Sequence, residues 1–569
     1  MYKIWRSYQS FYAGAASNTP DELTDETVTA DGVYTDLELQ RIADAGFNAV
    51  WLHGLLHHIV RTAPYPELGV NAEYHVIRVN RLIEQAAKYG LKVFLYLQPP
   101  RAVERGNTVF WDNHFEDGGI NVDFYNGAKV RTFCTSVPSV KKWIADASEQ
   151  VAKSMPELAG IILITNGEFP SHCLNSNNNA KEICPRCAER PLAEVIAEII
   201  NMVREGVRRQ SKKMEVIAWN WAWEYTDAES VISQLPEDII IMNDFERDGY
   251  MDLPDYPHFH FMEYSLAYPG PCDSYLRTKD ILCHYPHRLM AKLQLGTTHE
   301  LATIPCLTAV YSIFHKAAYL KKNPPAGFLG CWNFGNLPGS NIEAFHFFLM
   351  GKDFDNEETA VKAFAAFRFP KADPKILISA WKKFRNALLY FPNVYTVLYY
   401  GPQNFTLGYT AIYKTAPLEG VPAGRSWHLD PRGDDFNQML DQDVFTLDQI
   451  IERFEKLSGL WNIAVIELTK ALCDDKYPSE LRNAKVAGAA FTSTFNTLRI
   501  YRMRKNWNNS CLHEFLDIAN AEKTLLESIL PDVEADQWIG YHAEPHGWLF
   551  DAESIREKIA FLKKFSEVK

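Results

Sequence analysis

The first 350 residues alternate short apolar runs with longer segments in which apolar residues recur at helical spacing. A short, mainly β-branched run predicts a buried strand, and a three-to-four-residue recurrence predicts an amphipathic helix. The predicted strands are Tyr2–Tyr8, Asn48–His53, Lys92–Gln98, Gly160–Thr165, Glu215–Asn220, Asp238–Asn243, Lys292–Gly296 and Gly327–Trp332. The predicted helices between them include Leu37–Ala45, Val79–Tyr89, Val140–Met155, Leu192–Arg208 and Thr308–Lys321. This alternation predicts right-handed parallel crossovers and a closed (β/α)8 TIM barrel.

The pattern changes after residue 350, where strand-like runs give way to amphipathic helices. The predicted helices are Ala360–Phe369, Lys375–Phe391, Leu447–Leu472, Pro478–Arg504, Leu512–Ile529 and Ala552–Phe565, with a polar stretch at Gly401–Asp435 among them. The chain of 569 residues is also longer than one hydrophobic core usually supports. We therefore expect a catalytic barrel at 1–350 and a mainly α-helical domain at 351–569. An open doubly wound sheet is the alternative, but no glycine-rich phosphate loop follows the first strand.

Charge and composition restrict the class of partner. The formal net charge is −13 and the pI is near 5.8, which argues against nucleic acid because phosphate binding needs a basic face. Aromatic residues make up 13% of the chain, including 14 Trp and 27 Tyr, and their flat apolar faces suit stacking on sugar rings. We therefore expect a small neutral carbohydrate as substrate, and a homo-oligomer is left open.

The beginning of the chain lacks the apolar core of a secretory signal, and no run approaches the roughly 20 apolar residues of a membrane span. Several of the 10 cysteines stand alone in apolar segments, as Cys283 and Cys331 do. Isolated cysteines of this kind favour reduced thiols over a disulfide framework. The sequence thus predicts a cytoplasmic protein with no membrane contact.

Polar residues gather where the predicted strands end, which is where (β/α)8 enzymes carry their chemistry. For each single residue, a solvated or structural role is an equal alternative to contact with a ligand. The candidate sugar-binding residues are Tyr8, His53, Gln98, Asn166, Asn220, Trp221, His299 and Trp332. Of the three tryptophans in the run at 219–223 (WNWAW), we expect one or two to serve packing and the rest to offer a stacking face.

Two glutamates follow the fourth and seventh predicted strands, Glu168 in GIILITNGE and Glu300 in KLQLGTTHE. This layout resembles clan A retaining glycoside hydrolases, whose acid/base follows strand four and whose nucleophile follows strand seven. The resemblance implies Glu168 as acid/base and Glu300 as nucleophile, with their carboxyl groups roughly 5 Å apart. The alternative for Glu168 is a surface carboxylate without a catalytic role. The alternative for Glu300 is an acidic residue that the dipole of a helix N-terminus favours.

Four cysteines surround the first glutamate in sequence: Cys134 precedes it, and Cys173, Cys184 and Cys187 follow, the last two as C-x-x-C. Thiolates at such spacing suit a tetrahedral structural zinc site, which has no open position for a zinc hydrolase. Packed thiols without metal are the alternative, and His172 could replace one cysteine as ligand. No organic cofactor is expected.

The order of these cysteines around Glu168 resembles family 42 β-galactosidases, which carry a four-cysteine zinc site at the same place. The chain departs from that family because Gly167 separates Asn166 from Glu168, the trailing cysteines are spread further apart, and the C-terminal region is helical. The resemblance implies a retaining β-galactoside-cleaving enzyme, and the long insertions Arg101–Asn126 and Phe169–Lys181 favour an exo-acting pocket. A substrate-assisted β-N-acetylhexosaminidase-like enzyme and a non-catalytic carbohydrate-binding barrel are the alternatives.

Overall fold

The computed structural model describes most of the chain, and the fold and the sites are those of its described residues. These are 1–10, 25–124, 127–176, 178, 182–333, 335–337, 339–413, 422–423, 432–435, 440, 443–472, 477–505, 507–508, 510–543 and 547–566. Parts of the predicted insertions, at 125–126, 177 and 179–181, lie outside the described residues, as does most of the polar stretch after residue 413.

Eight parallel strands close into a barrel, which confirms the predicted fold class. In chain order they are β1 Tyr2–Trp5, β2 Ala49–His53, β3 Lys92–Leu97, β4 Gly160–Ile164, β5 Glu215–Trp219, β6 Ile239–Asp244, β7 Arg288–Lys292 and β8 Gly327–Leu329. Each strand pairs with its neighbours in sequence, and β1 pairs with β8. Strands such as β4 (GIILI) and β6 (IIIMND) are buried throughout, because both faces of a parallel barrel strand are covered.

The predicted seventh strand, Lys292–Gly296, is wrong: the strand is Arg288–Lys292. Leu293 and Leu295 continue the apolar pattern and are fully buried, so their burial as loop residues mimics the signal of a strand. Glu300 consequently lies in a loop eight positions after Lys292, and not at a strand tip.

The chain divides into two compact units, and the first contains the barrel: residues 1–245, 274–293 and 324–333. Its α-helices are Ala30–Val33, Asp36–Asp44, Leu56–Ile59, Ala72–Ala87, Thr108–Asn113, Pro138–Ser154, Leu192–Gln210, Ala228–Ile232 and, from residue 274 onward, Asp273–Ile281. Short 3-10 helices occur at Glu26–Val28, Phe115–Asp117 and Trp223–Tyr225. The insertion after β3 forms an antiparallel sheet of Val103–Glu104, Lys129–Phe133 and Gly118–Asp123, in that spatial order.

The second unit comprises residues 246–273, 294–323 and 334–569. The second unit therefore includes the segments that follow β6 and β7. The predicted boundary between a barrel domain and a helical domain at residue 350 stays a prediction. Its α-helices are Val310–Lys322, Ser340–Met350, Glu357–Arg368, Pro374–Leu388, Tyr395–Tyr400, Leu447–Ala471, Pro478–Lys505, Cys511–Glu534 and Ala552–Ser566. Its 3-10 helices are Pro402–Asn404, Thr406–Gly408 and Ala411–Tyr413. Its two-stranded sheets pair Gly249–Leu253 with Tyr256–Phe261, Pro422–Ala423 with Arg432–Asp435, and Tyr541–His542 with Gly547–Trp548.

Candidate active site

Glu168 is half-buried on the loop that leaves β4. The residue before it, Gly167, has a φ of 92°, which favours glycine. A Cβ on Gly167 would lie 2.6 Å from the Cβ of Ala222 and 2.9 Å from Cδ1 of Trp221. The Trp221 indole therefore packs against the backbone directly before Glu168, and glycine is needed there both for conformation and for space.

Side-chain hydrogen bonds brace the loop that carries Glu168. Asn166 donates from Nδ2 to the Ala222 carbonyl (2.8 Å) and accepts at Oδ1 from the Ser176 amide (2.8 Å). Asn175 accepts at Oδ1 from the Gly167 amide (3.3 Å). Such bonds on both sides of one residue hold its backbone in a single geometry. The predicted contact of Asn166 with a sugar hydroxyl stays a prediction, since both ends of its amide already bind protein groups.

His172 braces the same loop from within. It is fully buried, accepts at Nδ1 from the Leu174 amide (3.2 Å) and bonds the Thr165 carbonyl through Nε2 (2.9 Å). An accepting Nδ1 places the proton on Nε2, so the ring is neutral, and burial lowers its pKa to about 4. Because both ring nitrogens bind protein groups, His172 does not serve as the alternative metal ligand.

Four aromatic side chains form a cluster, three from strands β2, β3 and β5 and the fourth, Trp332, from the segment after β8. Trp332 stacks on Trp51 (centroids 4.9 Å apart, planes at 16°), and Trp219 and Tyr96 meet it edge-on at 5.0 and 5.3 Å. Trp332 is 6% exposed. Within the described part of the chain, the indole N–H groups of Trp51 and Trp219 are buried without a hydrogen-bond partner.

The remaining barrel candidates differ in accessibility. Tyr8 is half-buried and accepts from Gln9 (3.2 Å). His53 is fully buried with its ring 5.2 Å from that of Tyr96. Gln98 is buried and accepts from Arg101. Of these three, only Tyr8 offers substantial surface to a ligand.

The three tryptophans of the WNWAW run differ in burial because the strand ends at Trp219 and Trp223 begins a 3-10 helix. Trp219 and Trp223 are buried at 0% and 1% exposure, whereas Trp221 is half-buried. The half-buried Asn220 donates from Nδ2 to Oδ1 of Asn243 (2.7 Å). Trp221 is thus the tryptophan of this run that can stack on a sugar beside Glu168.

Glu300, in the second unit, is fully buried, and its carboxylate accepts four hydrogen bonds. Oε1 accepts from Ser265 Oγ and, at 3.5 Å, from the Ala267 amide. Oε2 accepts from the Leu266 amide (3.0 Å) and from Thr298 Oγ1 (2.9 Å). Burial raises the pKa of Glu300 even though the four donors oppose that shift. The predicted role as nucleophile stays a prediction.

A second buried carboxylate in this unit, Glu263, was missed by the sequence analysis. The Tyr399 hydroxyl donates to its Oε1, and Nε of Arg247 lies 3.7 Å from the same oxygen. The ring of His299, a predicted sugar-binding residue, lies 4.9 Å from that of Tyr399. Glu263 follows the hairpin inserted after β6, so no strand end marks it in the sequence.

The four cysteines of the first unit come together as a candidate metal site. Their sulfur atoms all lie within 4.8 Å of one another, with Cys134 Sγ 3.7 Å from Cys184 Sγ and 3.5 Å from Cys187 Sγ. Zn–S bonds of about 2.3 Å in a tetrahedron place sulfurs roughly 3.8 Å apart, so the geometry fits a zinc ion. The cluster could hold a metal with a closed set of ligands.

The surroundings of this cluster join the two insertions. Cys134 follows the sheet inserted after β3, while the other three cysteines lie after β4. Asn178 donates to the carbonyls of His172 and Cys173 (both 3.0 Å), and Ser136 Oγ lies 3.3 Å from Cys187 Sγ. The sulfur cluster therefore ties the loop of Glu168 to the neighbouring sheet.

The chain matches no protein-family model and no curated protein sequence. Among solved structures it is similar to a GH138 enzyme targeting pectin rhamnogalacturonan II, with 10% identity and a TM-score of 0.54 over 100% of this chain and 67% of that one. It is also similar to CpGH89 from Clostridium perfringens in complex with its substrate GlcNAc-alpha-1,4-galactose, with 10% identity and a TM-score of 0.53 over 99% of this chain. The chain spans 62% of that enzyme's length.

These neighbours are glycoside hydrolases, and at this identity the likeness shows the shared fold alone. It does not single out family 42. None of the helices that the structure describes combines the length and apolar character needed to cross a bilayer.

Proposed function

We propose that this chain is a glycoside hydrolase that retains anomeric configuration and removes a terminal sugar. The observation that carries the proposal is the half-buried Glu168 on a braced loop at the carboxyl end of β4, with Trp221 packed against the preceding Gly167. The shared fold with the GH138 and family 89 glycoside hydrolases, of which CpGH89 was studied with two glutamate-to-glutamine changes, supports the same reading.

Glu168 is the group suited to general acid/base work. A half-buried carboxyl can exchange protons with solvent between half-reactions, yet remains fixed relative to a bound sugar. In this role it protonates the leaving oxygen and later removes a proton from water. Glu300, the nucleophile that the sequence predicts, would supply the second carboxyl.

The substrate class follows from the aromatic residues and the long insertions. Trp221, and Trp332 in the aromatic cluster, offer apolar ring faces suited to a neutral sugar. Walls built from the insertions after β3 and β4 would favour an exo-acting pocket. The β-galactoside specificity rests on the family 42 resemblance of the cysteine layout.

The test is hydrolysis of a panel of α- and β-linked aryl glycosides by wild type, Glu168→Gln and Glu300→Gln. Loss of a group used in the transition state lowers kcat by about 10²–10⁴-fold, so Glu168→Gln should lose at least that much while staying folded. Proton NMR during the first minutes reports the anomer, and an inverted first product would contradict retention. Binding of sugars without any turnover would favour the non-catalytic alternative.

A substrate-assisted mechanism is the second candidate, because the saturated Glu300 is poorly placed to attack and CpGH89 acts on a GlcNAc-containing substrate. In that mechanism the substrate acetamido group attacks the anomeric carbon, and Glu168 remains the acid. Activity confined to N-acetylated glycosides would favour it, whereas cleavage of galactosides or glucosides would exclude it.

The four-cysteine cluster is proposed to hold one structural zinc ion through Cys134, Cys173, Cys184 and Cys187. A closed thiolate site stabilises the fold and leaves no position for substrate. Its reduced thiols suit a reducing compartment, which supports the cytoplasmic expectation. Elemental analysis of protein purified without chelators should find one zinc per chain.

A further inference from the structure

A surface cleft of about 490 Å³ lies in the second unit. Small-molecule sites have volumes of about 300–1,000 Å³, so the cleft is large enough for a single sugar ring, and it is open to solvent. Seven residues line it, and all of them belong to this unit: Pro269, Gly270, His315, Ala318, Tyr319, Lys322 and Arg385. The cleft is therefore formed by packing within one unit, and none of its residues takes part in the chemistry proposed for Glu168.

One face of a single helix forms most of the lining. The helix Val310–Lys322 contributes four of the seven residues: His315, Ala318, Tyr319 and Lys322. Their spacing of i, i+3, i+4 and i+7 is that of neighbours along one side of a helix. Ala318 has the smallest side chain of the four and leaves room on this face, whereas Tyr319 brings an aromatic ring. Pro269 adds apolar surface, so the interior of the cleft is mainly apolar.

The charges around the cleft leave a surplus of one positive charge. Arg385 donates from Nη1 to Oε1 of Glu357 (2.7 Å), and these two charges offset each other. Burial lowers the pKa of His315 from 6.5, with Glu357 opposing this shift and Arg385 adding to it, so the ring is neutral at pH 7. Lys322 is exposed in the last turn of its helix and forms no ion pair with any described residue. This local surplus is opposite in sign to the formal net charge of −13.

These features suit a ligand that carries one carboxylate on a ring with an apolar face. The planar guanidinium of Arg385 has donors besides Nη1, and their geometry matches a carboxylate. Lys322 supplies the positive charge that this anion requires. The ring of Tyr319 is suited to stack on the C–H face of a sugar. Because the cleft is open, the hydroxyl groups of a sugar can stay hydrated, whereas an aromatic acid would leave apolar surface in water.

We propose that this cleft binds a uronic acid, either free or as the end unit of a glycan. The choice of a sugar acid over other ring carboxylates rests on the proposed glycosidase function. The lining contains no carboxyl group, and two carboxyl groups are what glycosidic cleavage uses. The site therefore binds the acidic sugar and does not cleave it.

The test is saturation-transfer NMR on the full-length chain with three probes. Methyl β-glucuronide carries the carboxylate, methyl β-glucoside lacks it, and benzoate has a carboxylate but no sugar. Methyl glucuronide should bind with a dissociation constant of about 1 mM, which is ordinary for a ligand of its size. Absence of methyl glucuronide binding at ten times that concentration would overturn the proposal.

Two charge reversals locate the binding. In Lys322→Glu the new carboxylate repels the ligand, so methyl glucuronide should bind about tenfold more weakly or worse. The matched control is Lys362→Glu, which makes the same change in net charge at an exposed position outside the cleft and should bind as wild type does. Equal binding by Lys322→Glu and wild type would overturn the site, as would an equal loss in both variants.

The other probes and one further variant test the chemistry and the shape. Methyl glucoside should bind equally to wild type and Lys322→Glu, and a loss as large as that of the glucuronide would overturn carboxylate recognition. Benzoate that binds more tightly than the glucuronide, and through Lys322, would overturn the choice of a sugar. Ala318→Leu keeps every charge but fills the helix face, so it should abolish glucuronide binding; wild-type affinity in this variant would overturn the cleft as the site.

Hydrolysis of aryl glycosides by the same preparations separates this inference from the proposed function. A wild type that binds methyl glucuronide through Lys322 but cleaves no glycoside would refute the proposed function and support the cleft. A wild type that cleaves glycosides but does not bind methyl glucuronide through Lys322 would refute the cleft alone.

Discussion

Gly119→Ala should disrupt the cysteine cluster without altering any metal ligand. Gly119 lies in the sheet inserted after β3, and a Cβ built there would stand 2.4 Å from Cys173 Sγ and 2.5 Å from Thr132 Oγ1. Ordinary non-bonded contacts begin near 3.5 Å, so the sulfur or the strand must move by about 1 Å. A zinc site tolerates deviations of only about 0.2 Å in its bond lengths.

The expected cost has two parts. Forcing an extra methyl into a packed site costs about 1–3 kcal/mol, and displacement of one sulfur also weakens metal binding. We expect Gly119→Ala to hold less than one zinc per chain after dialysis and to unfold at lower urea concentration. In wild type, chelation should likewise lower the melting temperature, with activity lost only as structure is lost.

Gly106→Ala is the matched control, because a Cβ there would meet only Glu104 Oε1, at 3.6 Å. Zinc content by mass spectrometry and urea unfolding followed by fluorescence measure both variants. A Gly119→Ala protein with one tightly held zinc and the unfolding midpoint of wild type would refute the reasoning. A metal-free wild type would refute the zinc site itself.

Four further substitutions test three separate parts of the structure. Trp223→Ala should cost about 3–5 kcal/mol in urea unfolding because its side chain is buried, whereas Trp221→Ala should mainly raise KM for aryl glycosides; equal stability losses would contradict this division. Asn166→Asp loses the amide donor that braces the Glu168 loop and should cost about 1–3 kcal/mol; an unchanged urea midpoint would show that the brace is dispensable. Burial raises the pKa of Glu480 above its ordinary 4.5, so the free energy of unfolding should fall as the pH rises from the ordinary pKa through the raised one. Glu480→Gln keeps the acceptor for Ser340 but does not ionise, so it should flatten this pH dependence. An unaltered pH dependence in Glu480→Gln would refute the role of Glu480.

Helices were predicted closely because their signal is local. The segment predicted at Leu192–Arg208 is a helix at Leu192–Gln210, and the one predicted at Leu447–Leu472 is a helix at Leu447–Ala471. Each carries its own apolar stripe, which does not depend on the neighbouring elements. The barrel strands followed from the same local pattern, although the predicted first and last strands ran past the observed ends at Trp5 and Leu329. In the seventh, Leu293 and Leu295 are buried in a loop and look like strand residues.

Residue roles at the site were less predictable because they depend on distant partners. Sequence order placed Glu168 after β4, yet the hydrogen bond from Asn166 to Ala222 and the packing of Trp221 against Gly167 join segments more than 50 positions apart. Glu263 carried no signal, because the hairpin after β6 separates it from the strand end. The pKa and the reactivity of a carboxylate depend on the number of hydrogen-bond donors around it, and that number cannot be obtained from the sequence.

The sequence by itself determined the (β/α)8 barrel, the helical C-terminal region, and the order of the four cysteines around Glu168, since periodicity and spacing are written along the chain. Only the tertiary structure decided that the four sulfurs meet within 4.8 Å and that His172 is engaged elsewhere. It also decided that Glu300 is saturated by donors from the 265–267 turn and from Thr298. The physical reason is that hydrogen bonding, burial and metal geometry depend on distances between atoms, and folding sets those distances by bringing together segments far apart in sequence.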